Sequence, residues 1–505
     1  MVSHSSGGCY YLRRGVRLIP ASGGGILLQE NPLRALKINP AAFDILKRCE
    51  HGFRPESTPP FPAARETQEF LELLRLSCIL DWSPPIVDSY PSVSVIIPVY
   101  NRSAEIAECL ASLQALDYPQ HCLEIIVVDD ASRDDTAAVV RRFGVHLIIQ
   151  SFNQGQSAAR NVGAAAARGD ILAFIDSDCI AGPRWLKELV PYFQNSEMAL
   201  VGGGVDTFSR ENRLDRYEAA NSALSMGSTF LLGRGRHSSF YVPTCNMLVR
   251  KEVYRSADGL DESLRVGEDV DFCWRLMARG NQLAYVPEGK VRHKHRNRFF
   301  STFPRRFEYG TSEAVLYKRY PLITKYFPLQ IGGLAMILAL AGALVTGSPK
   351  PVIVAACLIA LETFFKQYQL KQKMAVSLGW IEIAKAVIKS HLKLTYYLAF
   401  FALRYFLLLI ISLSLAFPSL LPLWLAVVLI PTGVDYIRKK PELSFPEFAF
   451  FYWSEHSFYQ SGAFWGSLKE KSFRLYRISF CPVGFLQNTF KRKRSPDAAE
   501  QNTFA

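Results

Sequence analysis

Residues 172–178 read Leu172-Ala173-Phe174-Ile175-Asp176-Ser177-Asp178, an apolar run that ends abruptly in two carboxylates. The run is typical of a buried β-strand, and the i, i+2 spacing would place both carboxylates on the same side of an extended chain. Two like charges at a strand end repel each other unless a cation lies between them, and a divalent metal ion that also binds phosphate would relieve that repulsion. A solvated strand end is the alternative, and the surrounding residues have to distinguish the two.

The surrounding segment, residues 92–298, alternates apolar strands with amphipathic helices, which predicts an α/β domain with a largely parallel sheet. Strands are predicted at 93–101, 123–130 and 145–150, ahead of the strand in 172–178. Ligands of such sheets bind beyond the carboxyl ends of the strands. Three strand ends carry residues that we expect to converge on a nucleotide site: Pro98, Tyr100 and Asn101; Asp129 and Asp130; and Asp176 and Asp178.

The second half of this segment contains further side chains suited to chemistry. A strand is predicted over 241–249, and Gly267-Glu268-Asp269-Val270-Asp271 leads into a helix predicted over 272–279. Acids in the first turn of a helix often serve only to cap it and to complement its dipole, so these carboxylates also have a structural explanation. His293 and His295 follow a short strand at 283–286, and one of them could complete a metal site or both could lie on the surface. Three nearby arginines could bind phosphate instead: Arg292, Arg296 and Arg298.

The composition restricts the class of partner. The chain has 505 residues and a formal net charge of +13, which suits an acidic partner such as a nucleotide or an anionic lipid. No basic stripe interleaved with aromatic residues is found, so we expect no nucleic-acid partner. The 10 cysteines include no Cys-x-x-Cys pair, which disfavours a zinc site and favours reduced thiols in the cytosol. The N-terminus shows no apolar h-region, so no signal peptide is predicted.

Residues 1–82 predict a small leading unit. A strand over 10–20 and a Gly-rich turn at 23–25 indicate a hairpin, and a helix follows in which Asn39 is the expected N-cap and Pro40 begins the first turn. A second helix is predicted over 67–79, after a Pro-rich loop. The unit could bind a peptide as an added strand on its sheet edge, or it could be a structural cap on the next domain.

Residues 329–434 hold most of the long apolar runs and predict two membrane hairpins, 329–365 and 396–434. The run at 329–345 is about the minimum for a span, and 351–365 is marginal because it contains Glu362. The connection between the hairpins is expected to be a loop rich in lysine: Lys366, Lys371, Lys373, Lys385, Lys389 and Lys393. Together with the basic tail at 491–494, this loop predicts a cytoplasmic-membrane protein whose soluble domain faces the cytosol. Hairpins that only enter the membrane interface are the alternative.

The motifs of residues 92–298, in this order, resemble those of family 2 glycosyltransferases: Val95 to Asn101, Val127 to Ser132, Asn153-x-Gly155 with Ala159-Arg160-Asn161-x-Gly163, and Asp176-Ser177-Asp178. The resemblance implies a GT-A fold, a nucleoside-diphosphate sugar donor and a divalent cation, Mn²⁺ or Mg²⁺. It also implies a nucleotide-sugar site lined by Pro98, Tyr100, Asn101, Asp129, Asp130, Asn153, Arg160, Asn161 and Asp176.

The same resemblance implies roles for single residues. Asp130, with Asp129, would hold the nucleobase edge, since a carboxylate accepts a hydrogen bond from an imide N–H. Asp178 would ligate the metal, with Asp176 on the ribose or the metal and His293 completing the metal site. Asp269, beside Glu268, would be the general base, because inversion at the sugar needs only one carboxylate to take the acceptor proton.

Three features narrow the resemblance to the glycosyltransferases of the mycofactocin system. They are the leading unit, which is similar to the PqqD-like winged-helix fold mainly through residues 33–52, the stretch 264–269, and the stretch 303–312. At 303 and 307 the chain has phenylalanine where the Gln-x-x-Arg-Trp of processive synthases has Gln and Trp, which disfavours a chain-threading synthase. The resemblance implies UDP-glucose as donor and a peptide-derived redox cofactor or its precursor as acceptor. In the aromatic C-terminal region, this chain has Glu455-His456 where the mycofactocin-type enzymes have two acids.

The predicted organisation is therefore a PqqD-like unit (1–82), a family 2 GT-A domain (92–298), a connecting helical region (299–328), membrane hairpins (329–434) and an aromatic and basic C-terminal tail (445–505). Two other functions stay open beside glycosylation of a peptide-derived cofactor. One is transfer to a lipid-linked or cell-wall acceptor, for which the leading unit has no evident use. The other is a non-enzymatic scaffold for the precursor peptide, against which the carboxylates Asp130, Asp178 and Asp269 argue.

Overall fold

The computed structural model describes residues 8–21, 23–30, 33–55, 67, 70–71, 74–75, 79–84, 89–374 and 378–482. The leading unit contains two small antiparallel sheets. One pairs β1 (Cys9–Leu12) with β5 (Leu80–Ser83), and the other has the order β2-β3-β4. The bounds of the second sheet and its helix are β2 (Val16–Ala21), β3 (Gly24–Glu30), β4 (Leu33–Ile38) and α1 (Pro40–Cys49).

The hairpin and the N-cap predicted in the leading unit are confirmed. β2 and β3 pair around the Gly-rich turn, and the Asn39 side chain accepts a hydrogen bond from the Ala42 N–H at 2.8 Å. The single strand predicted over 10–20 is wrong, because a turn with Gly15 at φ 87° separates β1 from β2, and β4 was not predicted. Of the helix predicted over 67–79, the described residues 67, 70, 71, 74 and 75 are helical, and most of the others lie outside the described residues.

An eight-stranded sheet with the order β13-β15-β11-β14-β9-β6-β7-β8 forms the centre of the molecule. Strands β9, β6, β7 and β8 run parallel, whereas β14 is antiparallel to both of its neighbours. This confirms the α/β domain with a largely parallel sheet. The strand bounds are β6 (Val93–Val99), β7 (Leu123–Asp129), β8 (His146–Ile149), β9 (Ile171–Ile175), β11 (Met198–Gly202), β13 (Leu231–Gly233), β14 (Asn246–Arg250) and β15 (Gln282–Tyr285).

Helices cover both faces of this sheet. In β6 every residue is buried, and alternate residues face opposite sides, with Val95 and Ile97 in one core cluster and Ile96 in the other. The first cluster includes residues of α2, and the second includes residues of α4 and α8. The helix bounds are α2 (Ser103–Gln114), α3 (Thr136–Arg141), α4 (Gln156–Ala166), α5 (Trp185–Leu189), α6 (Arg213–Asn221), α7 (Lys251–Ser256) and α8 (Glu268–Ala278).

A three-stranded sheet of β10 (Cys179–Ala181), β16 (Val291–His293) and β12 (Val205–Thr207) lies next to the end of β9. Its register sets Cys179 opposite His293, so the sheet brings the histidine to the segment that carries Asp176 and Asp178. The strand predicted over 241–249 begins only at Asn246. Pro243 has no N–H for a sheet, and its carbonyl accepts from the Asn246 N–H at 3.2 Å in a turn.

The C-terminal part is helical. Its elements are α9 (Phe299–Arg319), β17 (Lys325–Leu329), α10 (Ile331–Thr346), α11 (Lys350–Met374), α12 (Trp380–Ala416), α13 (Leu421–Lys439), α14 (Phe445–Lys469) and β18 (Ile478–Pro482), with β17 and β18 paired in parallel. Helix α14 packs along α9. Its side chains Phe448, Tyr452 and Tyr459 are buried, so this aromatic segment is an internal packing element as well as a surface one.

Within the part of the chain that the structure describes, three helical segments are long and apolar enough to cross a membrane: Lys350–Gln372, Trp380–Ala416 and Pro418–Lys439. From sequence, the run at 329–345 was the better candidate for a membrane span and the run at 351–365 the weaker one, and the structure reverses this order. The run at 329–345 forms the 16-residue α10, which at 1.5 Å per residue spans only about 24 Å, whereas the marginal run at 351–365 lies inside the 25-residue α11. The lysine-rich connection is also not a loop. Its lysines lie on α11 and α12, and the basic tail at 491–494 lies outside the described residues.

Candidate active site

A cleft of about 750 Å³ lies beyond the carboxyl ends of the central strands. It is lined by residues from β6, β7 and β9, from the turn before α4, from the start of α8 and from α6 and α9. Ten residues expected from sequence line it together: Pro98, Tyr100, Asp130, Asn153, Arg160, Asp176, Asp178, Glu268, Asp269 and His293.

Asp130 follows β7 and faces the turn between β8 and α4. Its two carboxylate oxygens accept hydrogen bonds from the backbone N–H groups of Gln154 at 2.7 Å and Gly155 at 2.8 Å. Gly155 has φ 94°, a conformation that glycine adopts at little cost, and it directly precedes the first turn of α4. These bonds fix the carboxylate at the edge of the cleft, where a nucleobase would meet it.

Three residues expected in the site do not line the cleft and instead shape its backbone. The Asp129 carboxylate accepts from the Ser132 N–H at 2.9 Å, and the Asn101 side chain accepts from the Arg133 N–H at 2.7 Å. The Asn161 side chain donates to the Leu260 carbonyl at 2.9 Å and accepts from the Tyr254 hydroxyl at 2.5 Å, so it joins α4 to the segment before α8. Direct contact of these three side chains with a donor therefore has no support in the geometry.

Arg160 connects the two acidic motifs of the cleft. Its guanidinium is almost fully buried and lies 2.5 Å from Asp176 and 3.2 Å from Glu268. The Gln156 side chain also donates to Glu268 at 2.7 Å. Asp176 is thus paired with Arg160, and among the described residues the compact group of potential metal ligands does not include it.

That group consists of Asp178, Cys179 and His293, whose ligand atoms all lie within 4.8 Å of one another. The His293 Nε2 atom is 3.4 Å from an Asp178 carboxylate oxygen, and the His293 Nδ1 atom is buried without a hydrogen-bond partner. Burial raises the pKa of Asp178, and the neighbouring Asp176 adds to this effect. An oxygen and an imidazole nitrogen at this spacing are suitable ligands for a divalent cation.

Asp269 lies at the start of α8, next to Glu268. Burial raises the pKa of Asp269 to about 7, and the charge of Glu268 acts in the same direction. Burial also raises the pKa of Glu268, although Arg160 opposes this effect. A carboxylate that titrates near neutral pH is well suited to accept a proton from a hydroxyl group.

Several cleft residues were not expected from the sequence. Arg102, next to Asn101, lies 3.7 Å from Asp178, and Gln156 binds Glu268. A wall formed by α6 and α9 adds a larger set, which we call the helical wall: Glu218, Ser222, Thr302, Arg305, Arg306 and Tyr309. Arg102 follows the end of β6 closely, so its place in the cleft could have been predicted from the sequence. The residues of the helical wall reach the cleft only because of how α9 packs, which no local pattern indicates. Of the three arginines considered for phosphate, Arg296 lines the cleft, and Arg292 stacks on Phe208.

Comparison with known proteins is consistent with this arrangement. Residues 94–256 match the family model described as glycosyl transferase family 2. The chain is 32% identical over 318 residues, 62% of its length, to the pre-mycofactocin glycosyltransferase of Mycobacterium tuberculosis, and it covers 64% of that protein, slightly under two thirds. It is also 32% identical over 206 residues, 40% of its length and 66% of the relative, to glycosyltransferase AglE of Haloferax volcanii.

Among solved structures, the mannosyltransferase PcManGT from Pyrobaculum calidifontis, in complex with GDP-Man and Mn²⁺, is 18% identical to the chain. The alignment covers 66% of this chain and 95% of that one, with a TM-score of 0.39. A similarity of this size supports no argument about ligands.

Proposed function

We propose that the protein is a membrane-associated inverting glycosyltransferase with a GT-A-like fold, because residues 94–256 match the glycosyl transferase family 2 model. The donor is UDP-glucose, and the acceptor is a peptide-derived redox cofactor of the mycofactocin type or its precursor. The observation that carries the proposal is the placement of the partly buried carboxylate Asp269 in the same cleft as Asp130 and the pair formed by Asp178 and His293.

The donor binds at the ends of the parallel strands. Asp130, already fixed by two backbone N–H groups, receives the imide N–H of the base, and Pro98, Tyr100 and Asn153 line the space around it. Arg160 holds Asp176 towards the sugar of the nucleoside. Arg102, a cationic side chain of the cleft that lies 3.7 Å from Asp178, binds the diphosphate.

Asp178 and His293 would hold the divalent cation. The His293 Nε2 atom lies 3.4 Å from an Asp178 carboxylate oxygen, so the two side chains could offer a nitrogen and an oxygen ligand to one ion. When bound, the cation neutralises the charge that develops on the leaving diphosphate. Cys179 is fully buried and is not needed as a ligand, since carboxylate, imidazole and donor oxygens suffice for Mn²⁺ or Mg²⁺.

Asp269 accepts the proton of the acceptor hydroxyl. The acceptor oxygen attacks the anomeric carbon as the bond from that carbon to the diphosphate oxygen breaks, so the configuration inverts in one displacement. The bonding electrons leave with the nucleoside diphosphate, and the proton passes to Asp269. Glu268 stays paired with Arg160 and keeps the start of α8 in place.

The relative from Mycobacterium tuberculosis supports the choice of acceptor, because that protein is a pre-mycofactocin glycosyltransferase. The leading unit supports it as well, since its β2-β3-β4 sheet has edge strands that could receive an extended peptide. The three apolar helices support a membrane location, and the lysines of α11 and α12 favour a cytosolic active site. These same helices favour a second candidate function, transfer to a lipid-linked acceptor.

Mass spectrometry of the products tests the proposal. The full-length protein in lipid nanodiscs is incubated with UDP-glucose, or with UDP-galactose or GDP-mannose as alternatives, and with pre-mycofactocin or polyprenyl phosphate. We expect a gain of one or more hexose units on pre-mycofactocin with UDP-glucose, loss of the reaction with EDTA and recovery with Mn²⁺. A hexose on polyprenyl phosphate alone would select the second candidate function, and no transfer with any pair would contradict both.

A further inference from the structure

Glu455 is a buried carboxylate outside the cleft, at a point where four helices meet. It lies on α14 and is 5% exposed. One of its oxygens accepts hydrogen bonds from the Tyr217 hydroxyl at 2.7 Å and the Asn221 amide at 3.0 Å, both on α6. The other lies 3.6 Å from Arg404 on α12 and 3.9 Å from Arg306 on α9. A single side chain therefore contacts α6, α9 and α12 from α14.

This carboxylate is ionised. Burial alone would raise the pKa of Glu455, but Arg306 and Arg404 outweigh that effect and lower the pKa to about 2. The next residue, His456, is neutral at physiological pH, because burial lowers its pKa to about 3. Joining four helices does not by itself require a charge, since apolar side chains of similar volume often do so at no loss of stability. The charge of Glu455 is therefore better explained by a role in orienting the side chains of α6, α9 and α12 that it contacts.

Those partners form the helical wall of the cleft. The Arg306 guanidinium donates from one nitrogen to both oxygens of Glu218, at 2.7 and 2.9 Å, and both residues line the cleft. Burial raises the pKa of Glu218 to about 7, although Arg306 opposes this effect. Arg306 thus has a carboxylate on each side, Glu218 at the cleft and Glu455 behind it.

The helical wall lies next to the proposed base. Burial raises the pKa of Tyr309, and the charge of Asp269 contributes in the same direction, so the two side chains are within electrostatic range. Asp269 and the helical wall line the same cleft, so an acceptor bound at Asp269 would lie beside this wall. The donor side is held differently, by the ends of β7 and β9 and the turn before α4, and Glu455 contacts none of these elements.

We propose that Glu455 is a positioning residue for the acceptor, acting through Arg306 and α6 to fix the helical wall. The proposal rests on the proposed glycosyltransferase function. It gives α14 and α12 a part in acceptor binding, because Glu455 reaches Arg306 of the wall from α14 and is itself paired with Arg404 on α12, a helix long and apolar enough to cross a membrane.

The test compares full-length wild type with Glu455→Gln and Glu455→Asp in nanodiscs, using UDP-glucose and pre-mycofactocin. We expect Glu455→Gln to raise the KM for pre-mycofactocin about tenfold, with kcat, the KM for UDP-glucose and acceptor-independent hydrolysis of UDP-glucose changed far less. Glu455→Asp should recover part of the acceptor affinity, since it keeps the charge. Glu470→Gln is the control, because Glu470 at the end of α14 pairs with Lys318 of α9 at 2.9 Å on the surface.

Equal loss of transfer and of UDP-glucose hydrolysis in Glu455→Gln would indicate a general structural role and overturn the proposal, as would an unchanged KM for pre-mycofactocin. Hydrogen exchange gives a readout that does not need an acceptor. If wild type fails to glycosylate pre-mycofactocin, the proposed acceptor is wrong, and Glu455→Gln should still increase deuterium uptake over α6 and α9 but not over β6 and β7. Unchanged uptake over α6 and α9 would then reject the role of Glu455.

Discussion

At the scale of single residues, Asp269 has the most direct chemical consequence. We expect Asp269→Asn to reduce transfer by about a thousandfold or more, because general-base catalysis contributes roughly 10²–10⁴-fold and the amide cannot accept the proton. Binding of UDP-glucose should change little, since the carboxylate of Asp130 and the Asp178 pair remain. Steady-state transfer and calorimetric UDP-glucose binding measure the two effects, and equal loss of both would contradict the assignment.

The folding of this variant can be controlled by its melting temperature. An ionised Asp269 destabilises the folded protein at pH 8, because its pKa is raised above that of an unfolded chain. Asp269→Asn should therefore melt at a higher temperature than wild type at pH 8, by an amount that shrinks as the pH falls towards 4. A lower melting temperature at pH 8 would show that lost activity reflects lost structure.

The pKa of Asp269 also predicts a pH dependence of the reaction. With the pKa raised to about 7, the base is half protonated near neutral pH and ionised above it. We expect kcat/KM for the acceptor to fall about tenfold for each pH unit below 7 and to level off above it. Hydrolysis of UDP-glucose by water gives a comparison, and a transfer profile that is flat from pH 5.5 to 8.5 would exclude Asp269 as the base.

At this scale the sequence indicated which side chains gather at the cleft better than which atoms they contact. Carboxylates at strand ends and in the first turn of α8 line the cleft, because strand ends and helix starts are read from local patterns: Asp130, Asp176, Asp178, Glu268 and Asp269. Asn161 was expected to face the donor, but it is directed into the protein by Tyr254, which is 93 residues away along the chain. A polar side chain next to Arg160 carries no local signal that distinguishes these two directions.

At the scale of elements, the turn between β8 and α4 determines the donor end of the cleft. We expect Gly155→Ala to raise the KM for UDP-glucose about tenfold, because φ 94° is unfavourable for alanine by about 1–3 kcal/mol and relaxation would move the N–H away from Asp130. Donor titration and thermal unfolding measure the two effects together.

Gly144→Ala is the matched control for this turn. Gly144 has φ 66° and open space around the position of a Cβ, as Gly155 does, but it precedes β8 and makes no contact with Asp130. Both variants should lose stability, and only Gly155→Ala should lose donor affinity. A similar rise in KM for the two variants would mean that general destabilisation, and not the bond to Asp130, lowers donor affinity.

Elements with a clear local sequence pattern were predicted from sequence, and elements defined by long-range packing were not. β9 is apolar throughout and β6 is apolar except for Ser94, and turn residues flank both strands, so local composition is sufficient. The lengths of α11 and α12 were underestimated from sequence, because their lysines were assigned to a loop. In the structure these lysines continue each helix beyond its apolar segment.

At the scale of the whole molecule, the leading unit should affect the acceptor and not the donor. Trp82 joins this unit to the central domain, where its ring lies 5.5 Å from that of Tyr192. We expect deletion of residues 1–82 to raise the acceptor concentration needed for transfer at least several-fold while UDP-glucose hydrolysis persists. Kinetics of the truncated and full-length proteins measure this, and loss of both activities would indicate that the unit is a structural cap.

The sequence by itself determined the alternation of strands and helices in the first half of the α/β domain, the acidic strand ends and the presence of long apolar helices, because each of these depends on neighbours within a few residues. Only the tertiary structure decided that Arg160 pairs with both Asp176 and Glu268, and that Glu455 reaches Tyr217 across 238 residues of sequence. Whether a buried charge is isolated or paired depends on which distant elements pack together. No local sequence pattern carries that information, although the arrangement of charges in this cleft depends on it.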